Sequence, residues 1–97
     1  MFQEYRIAIH LKTLRGFETF GEFFLGTSGV EAQDFFRTLK GTPIQVQEGI
    51  LIMELTCLVR GLPVDIQMLS CSLEELGENC KMITKYLFTQ MKPARSS

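Results

Sequence analysis

The segment Gly49–Leu69, GILIMELTCLVRGLPVDIQML, is the most apolar part of the chain and decides the predicted fold. A single charge, Glu54, interrupts its first half, while apolar and polar side chains alternate through its second half. Both patterns are typical of β-strands, one largely buried and one with a solvent-facing side. Arg60 and Gly61 lie between the halves, where glycine can adopt the positive φ that a tight turn requires. The segment therefore predicts a β-hairpin that the rest of the chain covers or extends.

A second hairpin is predicted upstream of this segment. Apolar and polar side chains alternate through Tyr5–Thr13, Gly16 supplies a turn residue, and Phe17–Leu25 continues as a strand rich in phenylalanine and threonine. Phenylalanines fall on both faces of this second strand, so the sequence leaves its phase open. A bulge at Gly21 or burial of both faces would accommodate them.

Each hairpin is followed by a predicted helix that begins with a serine and has a glutamate three residues later, the pattern of a capping box. The first helix is predicted at Ser28–Lys40, with Gly41 as a left-handed cap, and the second at Ser72–Met91. The second helix is expected to bury one stripe of side chains, namely Leu73, Leu76, Cys80, Ile83, Leu87 and Met91.

Two short segments complete the predicted chain. Residues Ile44–Glu48 alternate weakly and are predicted to be a connection, with an extra strand as the alternative. Residues 93–97 are predicted to be a disordered tail.

The two halves of the chain follow the same order, strand, strand, helix, over residues 5–41 and 50–91, which indicates an internal repeat. Together they predict one domain, residues 1–97, of the α+β class with a ββαββα order. The expected architecture is a two-layer sandwich, in which a four-stranded antiparallel sheet carries both helices on one face. A right-handed crossover would give the spatial strand order 1-2-4-3, a circular permutation of the ferredoxin-like arrangement.

Composition narrows the classes of function. The chain has 97 residues, of which 45% are apolar, and a net charge of −1, so it is predicted to be globular and nucleic acid is not an expected partner. Its N-terminal residues lack a signal-peptide pattern, and no apolar run is long enough to span a membrane. The three cysteines are an odd number without a C-x-x-C pair, which favours free thiols in a cytoplasmic protein.

Candidate chemical groups are few. Cys57, Cys71, Cys80 and His10 are numerically enough for a zinc site, but the paired spacing of such sites is missing, so no metal is expected. Cys71 directly precedes the cap of the second helix, where a helix dipole favours the thiolate, and His10 is the only histidine that could serve as its base. Cys57 and Cys80 are more simply explained as small hydrophobic residues of the core. An unreactive Cys71 without a base on its flank and a solvated His10 are likewise the simpler explanations.

Other charged residues also have a simpler explanation than a binding site. Arg15 and Arg60 occupy the two hairpin tips and could bind an anion, but arginines there commonly only solubilise. Glu54 and Asp65 could form a carboxylate pair, but more simply face solvent. Because no phosphate loop or cofactor motif occurs, no cofactor and no enzyme activity are expected. We predict a small interaction or regulatory module, with a small enzyme or ligand-binding domain as the alternative, its pocket lying between subunits.

A surplus of apolar residues on the sheet predicts a homodimer. If the two helices cover one face, the other face would expose a contiguous apolar patch, which monomers rarely keep. Its members would be Ala8, Phe20, Phe24, Ile50, Ile52 and Leu58. Two copies could pack these faces together or pair edge to edge along the third predicted strand. In the alternative, a monomer, the loop at residues 41–48 would fold over the patch.

Overall fold

The computed structural model describes residues 3–45 and 49–91. The elements in chain order are strands β1 (Gln3–Thr13) and β2 (Gly16–Gly26), helix α1 (Gly29–Arg37), strands β3 (Thr42–Ile44), β4 (Leu51–Val59) and β5 (Leu62–Cys71), and helix α2 (Leu73–Met91). The strands form one sheet in the order β2-β1-β4-β5-β3, in which every neighbouring pair is antiparallel. The α+β class, the antiparallel sheet and the two helices are therefore confirmed.

Both helices lie on the same face of the sheet, called the helix face below. Side chains that alternate along the strands, among them Ile7 and Leu55, form one buried cluster with Phe36 of α1 and Ile83 of α2. The two helices also touch each other, since the ring of Phe35 stacks on that of Tyr86 with centroids 4.2 Å apart. The opposite side of the sheet is called the open face.

The predicted strand number and order were wrong. The sheet has five strands, and the first strand pairs with β4 instead of occupying an edge. Burial explains the difference: β1 and β4 carry the most deeply buried side chains, so they take the centre, whereas β2 carries Glu18 and Glu22 and takes an edge. The chain then runs from β2 at one edge through α1 to β3 at the other, which is not the order of the permuted ferredoxin-like arrangement.

Strand β3 lies where a connection was predicted. Its three residues, Thr42–Ile44, pair with Ser70, Leu69 and Met68 of β5, so Ile44, the first residue of the segment predicted as a connection, belongs to a strand. Residues 46–48 of that segment, and the tail at 93–97, lie outside the described residues.

Helix α1 ends earlier than predicted. Its C-cap is Thr38, whose hydroxyl donates a hydrogen bond to the Phe35 carbonyl, so the helix stops before Lys40. Gly41 has φ +139° and packs against β5, where a Cβ would lie 3.0 Å from the sulfur of Cys71. The glycine is therefore required for the entry into β3 and does not cap the helix.

The two hairpins have the predicted turns. Arg60 and Gly61 both have positive φ, 55° and 80°, as a two-residue hairpin turn requires. In the first hairpin, Ile9 pairs with Gly21 but His10 pairs with Thr19, so Phe20 is an extra residue. Of the two explanations for the aromatic pattern, the bulge at Gly21 is confirmed.

Helix α2 is fixed at its start and near its middle. Its capping box is complete, because Glu75 accepts a hydrogen bond from the Ser72 backbone and donates its own N–H to the Ser72 hydroxyl. Asn79, 0% exposed, accepts from the Lys40 N–H at 2.8 Å and donates to the Lys40 carbonyl at 2.7 Å. These two bonds tie α2 to the segment between α1 and β3. Neither helix, within the described residues, combines the length and the apolarity needed to cross a membrane.

Candidate functional site

Five residues of α2, called the outer row, lie on a side of the helix that faces away from the core. It consists of Leu73, Gly77, Cys80, Thr84 and Phe88, whose spacing of three or four residues places them on one helical side. Leu73 and Phe88, at the two ends, are 75% and 71% exposed. Between Gly77 and Phe88 the surface forms a depression of about 590 Å³, flanked by Lys81 and Lys85. The outer row is thus an apolar, concave surface open to solvent.

A second apolar surface, called the corner groove, adjoins the outer row at Leu73. It has a volume of about 530 Å³ and is lined by Ile9, Leu11, Phe20, Ile50, Leu51, Cys71, Ser72, Leu73 and Leu76. Helix α1 begins near the start of β1, where Gly29 lies against the Tyr5 hydroxyl. The opposite end of β1, near Leu11, is therefore not covered by α1, and the groove lies there. Leu73 lines the groove and lies one helical turn before Gly77 of the depression, so the two apolar surfaces are neighbours along α2.

The open face has a polar centre. His10 is hydrogen-bonded through Nδ1 to the Thr19 hydroxyl at 2.9 Å and through Nε2 to Glu54 at 2.5 Å. Because a carboxylate only accepts, Nε2 carries the proton in this arrangement. Arg6, nearer the start of β1, contacts Glu4 at 3.2 Å and Glu22 at 3.6 Å. Because both ring nitrogens of His10 are hydrogen-bonded, the polar side chains of this cluster are partners for one another on the open face.

The predicted apolar patch on the open face does not form. Ala8 lies opposite Glu22 and Glu54, Phe24 lies opposite Arg6, and Leu58 lies opposite Glu4. The strand order is the reason, because it places the charged side of β1 between β2 and β4. Pairing along the third predicted strand was also wrong, since β4 already has a neighbour on each side.

The other three members of the predicted patch lie in two different places. Phe20 and Ile50 lie together at the corner groove. Ile52, in contrast, is 0% exposed although it belongs to the open face, where His10 and Ser70 flank it. A Cβ on Gly49 would lie 2.7 Å from the Ser70 hydroxyl, so Gly49 packs against Ser70, the residue paired with Ile52.

The expected reactive thiol is buried. Cys71 belongs to the core, and desolvation together with the nearby Glu75 carboxylate raises the pKa of its thiol to about 11. The position at the start of α2 therefore does not produce a thiolate at neutral pH. His10 lies on the open face and Cys71 on the helix face, so the structure does not bring the two together as a nucleophile and a base.

Alkaline pH is expected to destabilise the protein through Cys71. Folding favours the protonated thiol, because its pKa in the folded protein, about 11, lies above the ordinary value of 9.0. The resulting stability is present below about pH 9 and is lost as the pH rises towards 11. Urea unfolding from neutral pH up to about 11 measures this loss. The Cys71→Ala variant should lose less stability over the same range, and equal losses would contradict the assignment.

The other predicted charge sites are separated in space. Arg15 lies in the turn after β1 and Arg60 in the turn after β4, and because these strands are antiparallel the two turns lie at opposite ends of the sheet. Arg15 instead contacts Glu18 at 3.4 Å. Glu54 is on the open face, whereas Asp65 pairs with Cys57 on the helix face, so they form no carboxylate pair. No group of three or more potential metal ligands occurs within residues 3–45 and 49–91.

The outer row was not predicted from the sequence. Leu73 and Cys80 were expected in the buried stripe of α2, but the buried side of the helix is centred on Asn79 and Ile83. Phe88 was not predicted as a site residue. The sequence contained no clear signal, because a polar residue such as Asn79 is not expected on the buried side, and the rotation of the helix that buries Asn79 places Leu73 and Phe88 outside.

No protein-family model, curated protein or solved structure matches the chain. Its function is therefore inferred from its own surfaces.

Proposed function

We propose that the chain is a small cytoplasmic interaction module that acts through self-association, as a homodimer. The observation that carries this proposal is the pair of neighbouring apolar surfaces, the outer row of α2 and the corner groove, where Leu73, Phe88 and Ile50 are each at least 65% exposed. Soluble monomers rarely keep contiguous apolar surface of this kind, and a two-fold dimer is the commonest arrangement that covers it. The three free cysteines fit the reducing conditions of the cytoplasm.

The edges of the sheet favour association through the helix layer. The edge strand β2 contains two register shifts and the charges of Glu18 and Glu22. At the other edge, β3 covers part of β5, and the uncovered part contains Pro63 and a further register shift. Bulges, charges and proline are the features by which proteins prevent edge-to-edge pairing.

A measurement of mass in solution tests the proposal. Sedimentation or light scattering at micromolar concentration should give the mass of two chains of 11.1 kDa each, falling towards one on dilution. A mass of one chain that does not change on concentration would contradict self-association.

The alternative, a ligand-binding domain, is favoured by one other feature. A cleft of about 650 Å³ lies beyond the end of β3, between α1 and β5, and Arg37 and Gln67 are among its polar lining residues. A cleft of this size can hold a small molecule. A thermal-shift screen against metabolites distinguishes the two functions, since strong and saturable stabilisation by one compound would favour the ligand-binding domain.

A further inference from the structure

The outer row contains a glycine, Gly77, that nothing in the described part of the chain explains. Gly77 lies within α2, where glycine costs roughly 1 kcal/mol relative to alanine. A Cβ added at Gly77 would meet no atom within 4 Å, so packing within the described chain does not require a glycine at this position. A missing side chain on an exposed helix does, however, let another helix approach closely.

The charges beside the outer row have a fixed order. Glu74 and Glu78 lie on its flank in the first half of α2, and Lys81 and Lys85 lie on the same flank in the second half. In a parallel pair related by a two-fold axis, the charged flanks of the two helices would lie on opposite sides of the contact and would not meet. An antiparallel neighbour would set the acidic half of each helix beside the basic half of the other.

We infer that α2 packs antiparallel against α2 of a second copy of this chain, through the outer row. This inference rests on the proposed self-association and names its surface and geometry. Around a two-fold axis near Cys80, Leu73 lies opposite the partner's Phe88, and Gly77 lies opposite the partner's Thr84. The exposed apolar ends of the row therefore cover each other, while the small residues lie between them where the helices cross.

The flanking charges agree with the same register. With Leu73 opposite the partner's Phe88, Glu74 comes beside the partner's Lys85, and Glu78 comes beside the partner's Lys81. Glu78 already contacts Lys40 at 2.7 Å, so that carboxylate is held in place between two lysines. Because Leu73 also borders the corner groove, the contact continues from the helix onto the exposed side chains of Phe20 and Ile50.

A pair of charge-reversed variants tests the geometry. One variant combines Glu74→Lys with Glu78→Lys, and the other combines Lys81→Glu with Lys85→Glu. Each alone has four like charges along the flank, so its homodimer dissociation constant should rise by about tenfold or more. Mixed in equal amounts, the two variants carry opposite charges throughout and should form a dimer again. Leu14→Ser, in the exposed turn after β1, is the matched control and should leave the dissociation constant unchanged.

Cross-linking at Cys80 gives a second measurement that uses the unaltered interface. The two-fold axis places Cys80 next to the partner's Cys80, so oxidation with copper phenanthroline should give a reducible covalent dimer, and the Cys80→Ser variant should give none. Cys57 and Cys71 are buried and serve as internal controls. If the wild type is dimeric but Cys80 does not cross-link and the mixed charge variants do not pair, the inference is overturned while self-association stands. A wild type with the mass of one chain overturns both.

Discussion

Replacing Ile52 by glutamate is expected to prevent stable folding. The side chain is 0% exposed in the middle of the sheet, and both ring nitrogens of the flanking His10 are already hydrogen-bonded. The new carboxylate would also lie on the same face as Glu54. A buried charge without a partner costs at least about 4 kcal/mol, a large part of the total stability of a small domain. Far-ultraviolet circular dichroism and urea unfolding measure the effect.

The matched control for this change is two residues away. Ile50 is 65% exposed at the corner groove, so Ile50→Glu should leave the fold intact. A folded Ile52→Glu protein with nearly unchanged stability would show that Ile52 is accessible on the open face, as the apolar-patch hypothesis required. The expected unfolding also means that Ile52→Glu cannot locate a dimer interface.

Asn79→Ala is expected to cost about 2–3 kcal/mol of unfolding free energy. The alanine removes the acceptor for the Lys40 N–H and the donor for the Lys40 carbonyl, and it leaves a space beside Met53 and Cys71. The Lys40 N–H then lacks its partner, and the Lys40 carbonyl keeps only the weak bond from the Cys71 thiol at 3.4 Å. Urea unfolding of the variant and the wild type at neutral pH gives the difference directly.

The side chain of Lys40 supplies the control for the Asn79 variant. Lys40→Ala keeps both backbone bonds to Asn79 and removes only the solvent-exposed ion pair with Glu78. Exposed ion pairs contribute little, so stability should be nearly unchanged. Equal losses in the two variants would show that the ion pair, and not the Asn79 amide, holds the segment between α1 and β3 against α2.

Local features of the fold were predictable because they depend on neighbouring residues. The turn at Arg60 and Gly61 requires only a short stretch with suitable φ angles, and the capping serines Ser28 and Ser72 act on backbone groups within one helical turn. The bulge at Gly21 could also be inferred, because the phenylalanines on each side of it did not keep one phase.

Features set by distant residues could not be read from the sequence. Whether β1 or β2 joins β4 depends on which pairing buries more apolar surface in the whole sheet, and the alternation within each strand does not decide it. That choice also decided the site: it brought charges to the open face and so removed the predicted patch. The buried side of α2 was predicted wrongly for a similar reason. Asn79 is a polar residue, and it is buried only because the backbone of Lys40 forms hydrogen bonds with its side-chain amide.

The pairing of β1 with β4 has a consequence for how the chain folds. Their partners, such as Ile7 with Leu55 and Ile9 with Met53, are more than forty residues apart in sequence. Closing so long a loop costs entropy before the contacts of the sheet centre offset it, which slows folding relative to domains with local contacts. Neither hairpin can complete the sheet centre alone. We expect the chain to fold in a single cooperative step that requires both halves, so that a fragment ending at residue 45 remains unfolded by circular dichroism.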